Sequence, residues 1–470
     1  MFLLTRSAAN LLAYQTLHDI LKPSDTHRLF DTLQYSVEEQ YSDSHISFDA
    51  STIYNYSEKA ISIGKLNKKY RDILFEGDMA ITYKQLSMIV NGSTEYRKAA
   101  KPRGKSKKLD ADRREKRQAY LDQNYPATIW KNGIPFVFHA SLSPIAKNAI
   151  LKAIHFWYRE TCIEFTPRTF QKEYLLFIGN DEGCWSTVGR DASQVKQVVS
   201  IGEGCEHFGV TSHELAHALG IFHEQSRFDR DDSVTFNARM VDRELLFNFA
   251  KQTMGQMEGP SFVDVLIMNE HYQCQKKCPE LAPCQNGGFT NSRNCKLCKC
   301  PSGFGGAYCE QIAPSFSPFC GGELEAEETL KRFDITIRQS GETRSKMCVY
   351  HIKAPEGKKI IIDILEVRSK CIEGCYQDGL ELKMKKDFRP VGYRFCCPES
   401  SRRKMSSETN MVPFMVYSRE NDFSVSFEYS YVDAKIGFDD STTKDEKIDN
   451  PDGVKVSISS VFKRFRRQFR

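Results

Sequence analysis

Cysteine is missing from the first 161 residues of this 470-residue chain and from everything beyond Cys397. The 16 cysteines are thus concentrated in the middle, and six of them fall between Cys278 and Cys309. Structural zinc sites are the alternative interpretation, but this cluster lacks the paired CxxC knuckles that such sites use. The clustering therefore favours disulfide-stapled modules in an oxidising compartment.

A strong excess of charge and a long apolar run are also missing. The net charge is only +5, from 66 basic and 61 acidic residues, which argues against a nucleic-acid binder with its concentrated basic face. No stretch approaches the roughly 20 apolar residues that cross a bilayer, so no membrane span is expected. Arg6 interrupts the apolar start, so a signal peptide is not clearly present. We still expect a secreted protein, because the cysteine pattern requires an oxidising compartment.

The length predicts about three domains, and the first segment, residues 1–117, is polar and free of cysteine. We interpret this segment as an N-terminal region and pro-peptide. It ends in R-E-K-R, which suits a processing protease that cuts after Arg117, unless the run is only a solvated charge cluster. Asn55 and Asn91 begin N-x-S tripeptides and are candidate glycosylation sites.

Residues 118–274 are predicted to form a globular α+β unit. Apolar runs at 134–138, 175–178 and 198–201 predict strands. Between the first two runs, residues 143–162 show the apolar spacing of a helix, with Ile145 counted on its buried face. The last predicted strand lies shortly before the segment that carries the chemistry.

Residues 213–223 read H-E-L-A-H-A-L-G-I-F-H. On a helix, His213 and His217 lie on one face, and the glycine then lets the chain turn so that His223 becomes a third nitrogen ligand of one zinc ion, Zn2+. Three protein ligands leave the open position of a catalytic zinc site. Glu214 is placed to take a proton from the water that attacks a peptide bond. H-E-x-x-H alone is weak evidence, and chance alignment is the alternative, but this extended form is the metzincin signature.

The residues around this signature resemble the astacin family of zinc metalloproteases. G-V-T-S precedes it, and residues 224–231, E-Q-S-R-F-D-R-D, follow it as in that family. The resemblance implies an α+β metzincin protease domain that acts on protein or peptide substrates. It also implies that Glu224 contacts the new N-terminus, Gln118, after cleavage; a solvated surface carboxylate is the alternative.

The same resemblance implies a lock in the pro-peptide. Residues 75–78, F-E-G-D, resemble the F-x-G-D motif of astacin pro-peptides, in which the aspartate occupies the open zinc position. Asp78 would act in this way, because a carboxylate is a competent zinc ligand; an ordinary Gly-Asp turn is the alternative. The chain is accordingly expected to be a secreted zinc metalloendopeptidase made as a zymogen.

Two further modules follow the protease unit. Residues 275–310 resemble an EGF-like domain, which disulfides must hold because so short a segment cannot bury a sufficient core. Residues 320–432 alternate apolar and polar residues and resemble a CUB domain, an all-β sandwich. Residues 433–470 are a polar tail with a basic end. Through the two modules we expect the protein to bind extracellular partners.

The family patterns imply six disulfides, although cysteine spacing alone leaves the connectivity open. The implied pairs are Cys162–Cys274 and Cys184–Cys205 in the protease unit, Cys278–Cys295, Cys284–Cys298 and Cys300–Cys309 in the EGF-like segment, and Cys320–Cys348 in the CUB segment. The pairing of Cys371, Cys375, Cys396 and Cys397 stays open.

The astacin pattern is incomplete in one place. The S-x-M-x-Y Met-turn, whose methionine underlies the zinc and whose tyrosine reaches the oxyanion, is not found after His223. From Thr253 the chain passes directly to a stretch that resembles the final helix of the family, so the unit is shorter than expected by roughly 35–45 residues. Either this is a spliced or mispredicted form of an active enzyme, or it is a catalytically impaired protein that acts through its EGF-like and CUB modules.

Overall fold

The computed structural model describes residues 63–70, 74–81, 85, 125–179, 183–192, 194–223, 259–316, 320–339, 346–398, 403–419 and 421–434. Within these ranges the chain forms an α+β unit, a small disulfide-rich module and a β-sandwich, which confirms the predicted fold class. No helix in the same ranges is long and apolar enough to cross a membrane.

The α+β unit contains α1 (Ile63–Leu66), α2 (Pro144–Glu160), α3 (Phe208–Ala218) and α4 (Phe262–His271). The start of α2 is capped by Ser143, whose hydroxyl accepts a hydrogen bond from the backbone N–H of Ala146. The start of α4 is a capping box, in which Ser261 and Asp264 each accept a bond from the other's backbone. The local sequence therefore fixes where both helices begin.

The sheet of this unit consists of β1 (Met79–Ala80), β2 (Ile134–Phe138), β3 (Phe165–Pro167), β4 (Tyr174–Ile178), β5 (Cys184–Thr187) and β6 (Lys196–Ile201). Their spatial order is β1-β5-β6-β4-β2-β3; the β5–β6 pair is antiparallel and the other pairs are parallel. The three strands predicted from apolar runs are β2, β4 and β6. The outermost strand, β1, comes from the segment predicted to be pro-peptide, so that segment completes one edge of the sheet.

The core of the α+β unit lies between this sheet and the three longer helices. From α2 it receives the fully buried side chains of Ile150, Ile154 and Trp157. The prediction that Ile145 shares this buried face is wrong, because its side chain is 67% exposed. The inward position of the first helical turn belongs instead to Ala146, which is buried.

The disulfide-rich module contains two short antiparallel pairs. They are β7 (Phe289–Thr290) with β8 (Cys298–Lys299), and β9 (Phe304–Gly305) with β10 (Gln311–Ile312). The rings of Phe289 in this module and Phe262 in α4 lie 5.5 Å apart between centroids. On the other side, His351 Nε2 donates a hydrogen bond of 2.8 Å to the carbonyl of Gly303. The module is therefore packed against both the α+β unit and the sandwich.

The sandwich consists of a five-stranded and a four-stranded sheet. The first has the order β11 (Gly322–Glu325), β13 (Lys346–Lys353), β18 (Met411–Ser418), β15 (Asp378–Leu382) and β16 (Tyr393–Phe395). The second has the order β12 (Lys331–Ile337), β19 (Phe423–Asp433), β14 (Lys358–Arg368) and β17 (Arg403–Ser406). Fully buried side chains such as Ile362, Phe414 and Phe427 fill the space between the sheets.

All 16 cysteines of the chain are paired in the structure. The six pairs implied by the family patterns are present. The four cysteines whose pairing the sequence left open form Cys371–Cys397 and Cys375–Cys396, so the adjacent Cys396 and Cys397 hold the same loop at two points. Cross-links of this kind restrict the unfolded chain and stabilise the folded modules.

Candidate zinc site

The site is built on α3, which is buried on most of its length. Two indole groups fix this helix by donating hydrogen bonds to its carbonyls: Trp157 Nε1 to Ser212 at 3.1 Å, and Trp130 Nε1 to Ala218 at 3.2 Å. The second bond satisfies a carbonyl at the helix end that has no partner within the helix. The histidines on α3 therefore project from a backbone that the core holds in place.

The turn after α3 is a Schellman motif around Gly220. The N–H of Gly220 donates to His217 O and the N–H of Ile221 to Ala216 O, which satisfies two helix-end carbonyls. Gly220 has a φ of 105°, and a Cβ at this position would lie 2.7 Å from Nε2 of His271. Only glycine fits both demands, so the predicted role of this residue in turning the chain towards His223 has a clear steric basis.

Four side chains converge at the end of this turn: Asp78, His213, His217 and His223, whose ligand atoms all lie within 4.8 Å of one another. Nε2 of His213 is 3.0 Å from Nε2 of His217 and 3.2 Å from Nε2 of His223. Asp78 Oδ2 is 3.2 Å from Nε2 of both His213 and His223. The structure thus brings together the three histidines and the aspartate that the sequence singles out.

This donor set fits a zinc ion. In a tetrahedral site with bonds of about 2.0–2.1 Å, neighbouring ligand atoms lie about 3.3 Å apart, close to the separations found here. An unprotonated imidazole nitrogen accepts hydrogen bonds and does not donate them, so the three Nε2 atoms cannot satisfy one another. Asp78 Oδ1 is buried and has no hydrogen-bond partner among the described residues. A cation between these atoms accounts for all three facts.

Two of the histidines are oriented by a second hydrogen bond. Nδ1 of His217 donates to the carbonyl of Ile221 at 2.7 Å, and Nδ1 of His223 donates to a carboxylate oxygen of Glu76 at 3.0 Å. Each bond places the proton on Nδ1 and leaves the lone pair of Nε2 directed at the cluster. Glu76 was not predicted from the sequence, although it lies inside the F-E-G-D motif, because no spacing rule assigns a role to the variable position of that motif.

Glu214 lies on α3 directly after His213 and is fully buried. Neither of its carboxylate oxygens has a hydrogen-bond partner among the described residues. Burial raises the pKa of Glu214 well above its usual range, and the negative charge of Asp78 raises it further. A bound divalent cation would act in the opposite direction, by favouring the charged form. Glu214 is therefore placed to accept a proton, and its pKa depends on whether a metal is bound and on the charge of Asp78.

The histidines and Asp78 influence one another's ionisation. Burial alone would raise the pKa of Asp78, but the neighbouring histidines, His223 first, outweigh it and hold that pKa well below its usual range. Burial lowers the pKa of His217, and the charge of His213 lowers it further. For His223 burial is again a lowering influence, but Asp78 and Glu76 outweigh it and raise its pKa. At neutral pH the aspartate is therefore a carboxylate, as a metal ligand must be.

Several predicted site residues lie outside the described residues. They are Arg117 at the expected processing site, Gln118 after it, Glu224, and the candidate glycosylation sites Asn55 and Asn91. Residues 224–258, where the Met-turn of the family would be sought, also lie outside them.

A helix and its following turn that direct three imidazoles to one point, with a buried glutamate beside the first, define a zinc metallopeptidase. The chain belongs to the astacin family of peptidases, whose family model matches residues 122–254. The model of the CUB domain matches residues 320–431. By class, the protein is therefore a zinc metalloendopeptidase whose cofactor is Zn2+.

Named relatives extend this match along the chain. Zinc metalloproteinase nas-29 of Caenorhabditis elegans is 74% identical over 500 aligned positions, which cover 96% of this chain and 94% of the relative. Zinc metalloproteinase nas-23 of the same organism is 36% identical, with 90% and 84% covered. Among solved structures, high choriolytic enzyme 1, a hatching enzyme zinc-protease from the medaka fish Oryzias latipes, is 25% identical, with a TM-score of 0.29 over 33% of this chain and 98% of that one.

Proposed function

We propose that this protein is a secreted zinc endopeptidase that is made as a zymogen and cleaves extracellular proteins. His213, His217 and His223 hold the zinc, Glu214 is the general base, and Asp78 is the lock. The observation that carries this proposal is the convergence of the Asp78 carboxylate with the three Nε2 atoms, within 4.8 Å of one another. Histidines that met by chance would not be closed off by an acidic residue from a distant segment.

A zinc ion held by His213, His217 and His223 would supply Lewis acidity, which would lower the pKa of water towards about 7 and polarise the substrate carbonyl. Glu214 receives the proton of the attacking water and delivers it to the leaving amine as the peptide bond breaks. In the processed form, the hydrogen bond of His217 to the carbonyl of Ile221 would keep the lone pair of its Nε2 directed at the metal. The corresponding bond of His223 to Glu76 would be present only in the uncut chain. Helix α3 holds these side chains in place, because indole hydrogen bonds fix its backbone at Ser212 and at its C-terminal residue, Ala218.

Latency follows from where Asp78 lies. Its side chain is buried, with 5% of the residue exposed, and it takes the position that water would need. Cleavage after Arg117 would separate residues 1–117 from the protease unit and allow this segment to leave. Glu224 would then meet the new N-terminus at Gln118. Export is supported by the paired state of all 16 cysteines, since disulfides persist in oxidising compartments.

The module boundaries proposed from the sequence remain 118–274 for the protease unit, 275–310 for the EGF-like domain and 320–432 for the CUB domain. The EGF-like and CUB domains would hold the protease on extracellular partners.

The test is to purify the secreted product and measure its mass, its zinc content and its hydrolysis of a general peptide substrate, before and after processing. We expect one zinc per chain in both forms and activity only in the processed form. A correctly folded product that carries no zinc and takes up none on titration would refute the proposal.

A second function, a catalytically impaired protein that acts through its EGF-like and CUB domains, is favoured by one observation. The chain has no S-x-M-x-Y after His223. The astacin match ends at residue 254, next to the point where the chain passes to the final helix. The alignment with nas-29 runs over 500 positions against 470 residues here, so it contains positions that this chain lacks. Losing one oxyanion-stabilising group commonly costs about 10²–10³ in rate.

Sequencing transcripts across Thr253–Met254 separates the two functions. Recovery of an S-x-M-x-Y segment would support the active enzyme, and its absence from every transcript would support the impaired protein.

A further inference from the structure

We propose that the protease unit has a second docking site for its own N-terminal segment, which receives Asn67 and is separate from the lock formed by Asp78. This site lies beside the Cys184–Cys205 disulfide, at the start of β5. The segment that binds there is the helical turn formed by residues 66–70, in which the carboxamide of Asn67 lies between a leucine and a tyrosine. The inference rests on the zymogen function proposed above and deepens it.

The carboxamide of Asn67 pairs with both backbone groups of Cys184. Oδ1 accepts a hydrogen bond of 2.8 Å from the N–H of Cys184, and Nδ2 donates one of 2.5 Å to its carbonyl. This is the two-bond pairing that a neighbouring strand would supply at a sheet edge. Asn67 is only 1% exposed, so water cannot replace these bonds while the segment is docked.

A third bond links this contact to the lock. Nδ2 of Asn67 also donates a hydrogen bond of 2.8 Å to the carbonyl of Gly77, the residue before Asp78. The Asn67 side chain therefore joins the end of α1, the turn that carries the aspartate, and strand β5.

The protease unit has room for this turn because two glycines flank the disulfide. A Cβ at Gly204 would lie 2.9 Å from Cδ2 of Leu66. A Cβ at Gly183 would collide with Oδ1 of Asn67 and lie 3.3 Å from the ring of Tyr70. The fit of Leu66, Asn67 and Tyr70 thus depends on the absence of side chains at both positions.

Apolar contacts support the same docking away from the zinc site. Ile63 is part of the main core of the α+β unit, and Leu74 belongs to a second cluster with Trp185 and Val198. Burial of these apolar side chains stabilises the docked segment whether or not a metal is bound. The N-terminal segment is therefore held by the fold as well as by its contact with the histidines.

The N-terminal segment also contacts β5 beyond Cys184 and the residue that follows this strand. The N–H of Ser186 donates a hydrogen bond of 3.0 Å to the backbone carbonyl of Asp78, and Nε2 of Gln85 donates one of 2.7 Å to the carbonyl of Val188. Two backbone amides therefore report on two different contacts. The amide of Cys184 reports on its hydrogen bond to Asn67, and the amide of Ser186 reports on its hydrogen bond to the turn at Asp78.

Hydrogen exchange of these two amides in the uncut full chain tests the proposal. We expect Asn67→Ala to speed exchange at Cys184 by about tenfold or more, because losing a hydrogen bond to a buried group costs on the order of 1–3 kcal/mol and 1.4 kcal/mol is tenfold. Lys68→Ala, an exposed neighbour, is the matched control and should change nothing. Asp78→Ala should leave Cys184 protected, because it keeps the Asn67 side chain.

Unchanged exchange at Cys184 in Asn67→Ala would overturn the proposal, as would release of both amides by Asp78→Ala alone. Leu66→Ala is a second variant that keeps the carboxamide, and it should also speed exchange at Cys184. Unchanged exchange within α2 shows that a variant has kept its fold. The measurement needs neither zinc nor activity. If the protein proved inactive and free of zinc while Asn67→Ala still released Cys184, the zymogen function would fail and the docking site would stand.

Discussion

Lys299 of the disulfide-rich module places its Nζ 2.7 Å from Oε2 of Glu160, at the end of α2 in the protease unit. Glu160 is 5% exposed, and Arg159 forms a second ion pair with its other carboxylate oxygen, at 2.6 Å. Burial alone would raise the pKa of Glu160, but Lys299 and then Arg159 outweigh it and lower that pKa from 4.5 to about 2. A buried ion pair therefore joins the protease unit to the module that follows it.

We predict that this pair makes the protease unit sensitive to acid. The folded-state pKa of Glu160 is depressed, so its contribution is present above pH 4.5 and is lost as the pH falls from 4.5 towards about 2. This shift in pKa corresponds to a contribution of about 3 kcal/mol from Glu160 to the free energy of unfolding. Urea unfolding followed by tryptophan fluorescence measures it, because all three tryptophans, Trp130, Trp157 and Trp185, lie in the protease unit.

Glu160→Gln should lower the unfolding free energy at pH 7 and flatten its fall between pH 5 and pH 2. The matched control is Glu164→Gln, whose partner Arg293 lies 2.9 Å away but whose side chain is 48% exposed. Exposed pairs contribute on the order of 0–1 kcal/mol, so this control should change little. Equal acid sensitivity in Glu160→Gln and the parent protein would contradict the assignment.

Our second prediction concerns the general base. Glu214→Gln should retain zinc, since the three imidazoles remain, and should lose about 10²–10⁴ in hydrolysis of a peptide substrate. Zinc content and turnover of the processed protein are the two measurements. Glu203→Gln, an exposed glutamate ahead of α3, should retain both. Full activity in Glu214→Gln would remove this residue as the base.

The third prediction concerns the lock. In the uncut chain, Asp78→Ala should raise hydrolysis of a peptide substrate at least about tenfold over the uncut parent, because a charge-assisted contact to the site is lost. After processing, the two proteins should be equally active, since Asp78 leaves with the N-terminal segment. An uncut variant as silent as the parent would mean that the rest of the segment closes the cleft by itself.

The zinc site could be predicted from the sequence because local spacing determines it. His213 and His217 share a helix face. The glycine that follows them marks the place where the chain leaves the helix and turns towards the third histidine. The distant partner, Asp78, was predictable only through its F-E-G-D motif. No local rule brings residue 78 to the histidines, because that contact depends on docking of the N-terminal segment along β5.

Other contacts had no sequence signal at all. Glu160 and Lys299 are far apart in the chain, and an ion pair leaves no spacing pattern behind. Cysteine spacing also left open how Cys396 and Cys397 pair. These two cysteines are adjacent, so swapping their partners would change the length of each disulfide loop by only one residue. The burial of Ile145 was predicted wrongly, because apolar periodicity identifies the buried face of a helix but does not show at which turn that face begins.

The last prediction distinguishes the outer hydrogen bond of His223 from the lock itself. Glu76 accepts a bond of 3.0 Å from Nδ1 of His223 and so helps to direct Nε2 at the metal. Loss of such an outer partner commonly costs about 10–100-fold in metal affinity. Glu76→Ala, which removes the acceptor, should therefore release zinc more readily than the parent in the uncut chain, as measured by competition with a fluorescent zinc chelator.

The processed forms serve as the internal control for this prediction. Residue 76 is removed when the N-terminal segment leaves, so Glu76→Ala and the parent should then bind zinc equally. The hydrogen bond of His217 to Ile221 is untouched in both forms, which isolates the effect to His223. Equal zinc retention in the uncut forms would show that Glu76 does not support the metal. A deficit that persisted after processing would instead indicate misfolding during synthesis, because the altered side chain would no longer be present.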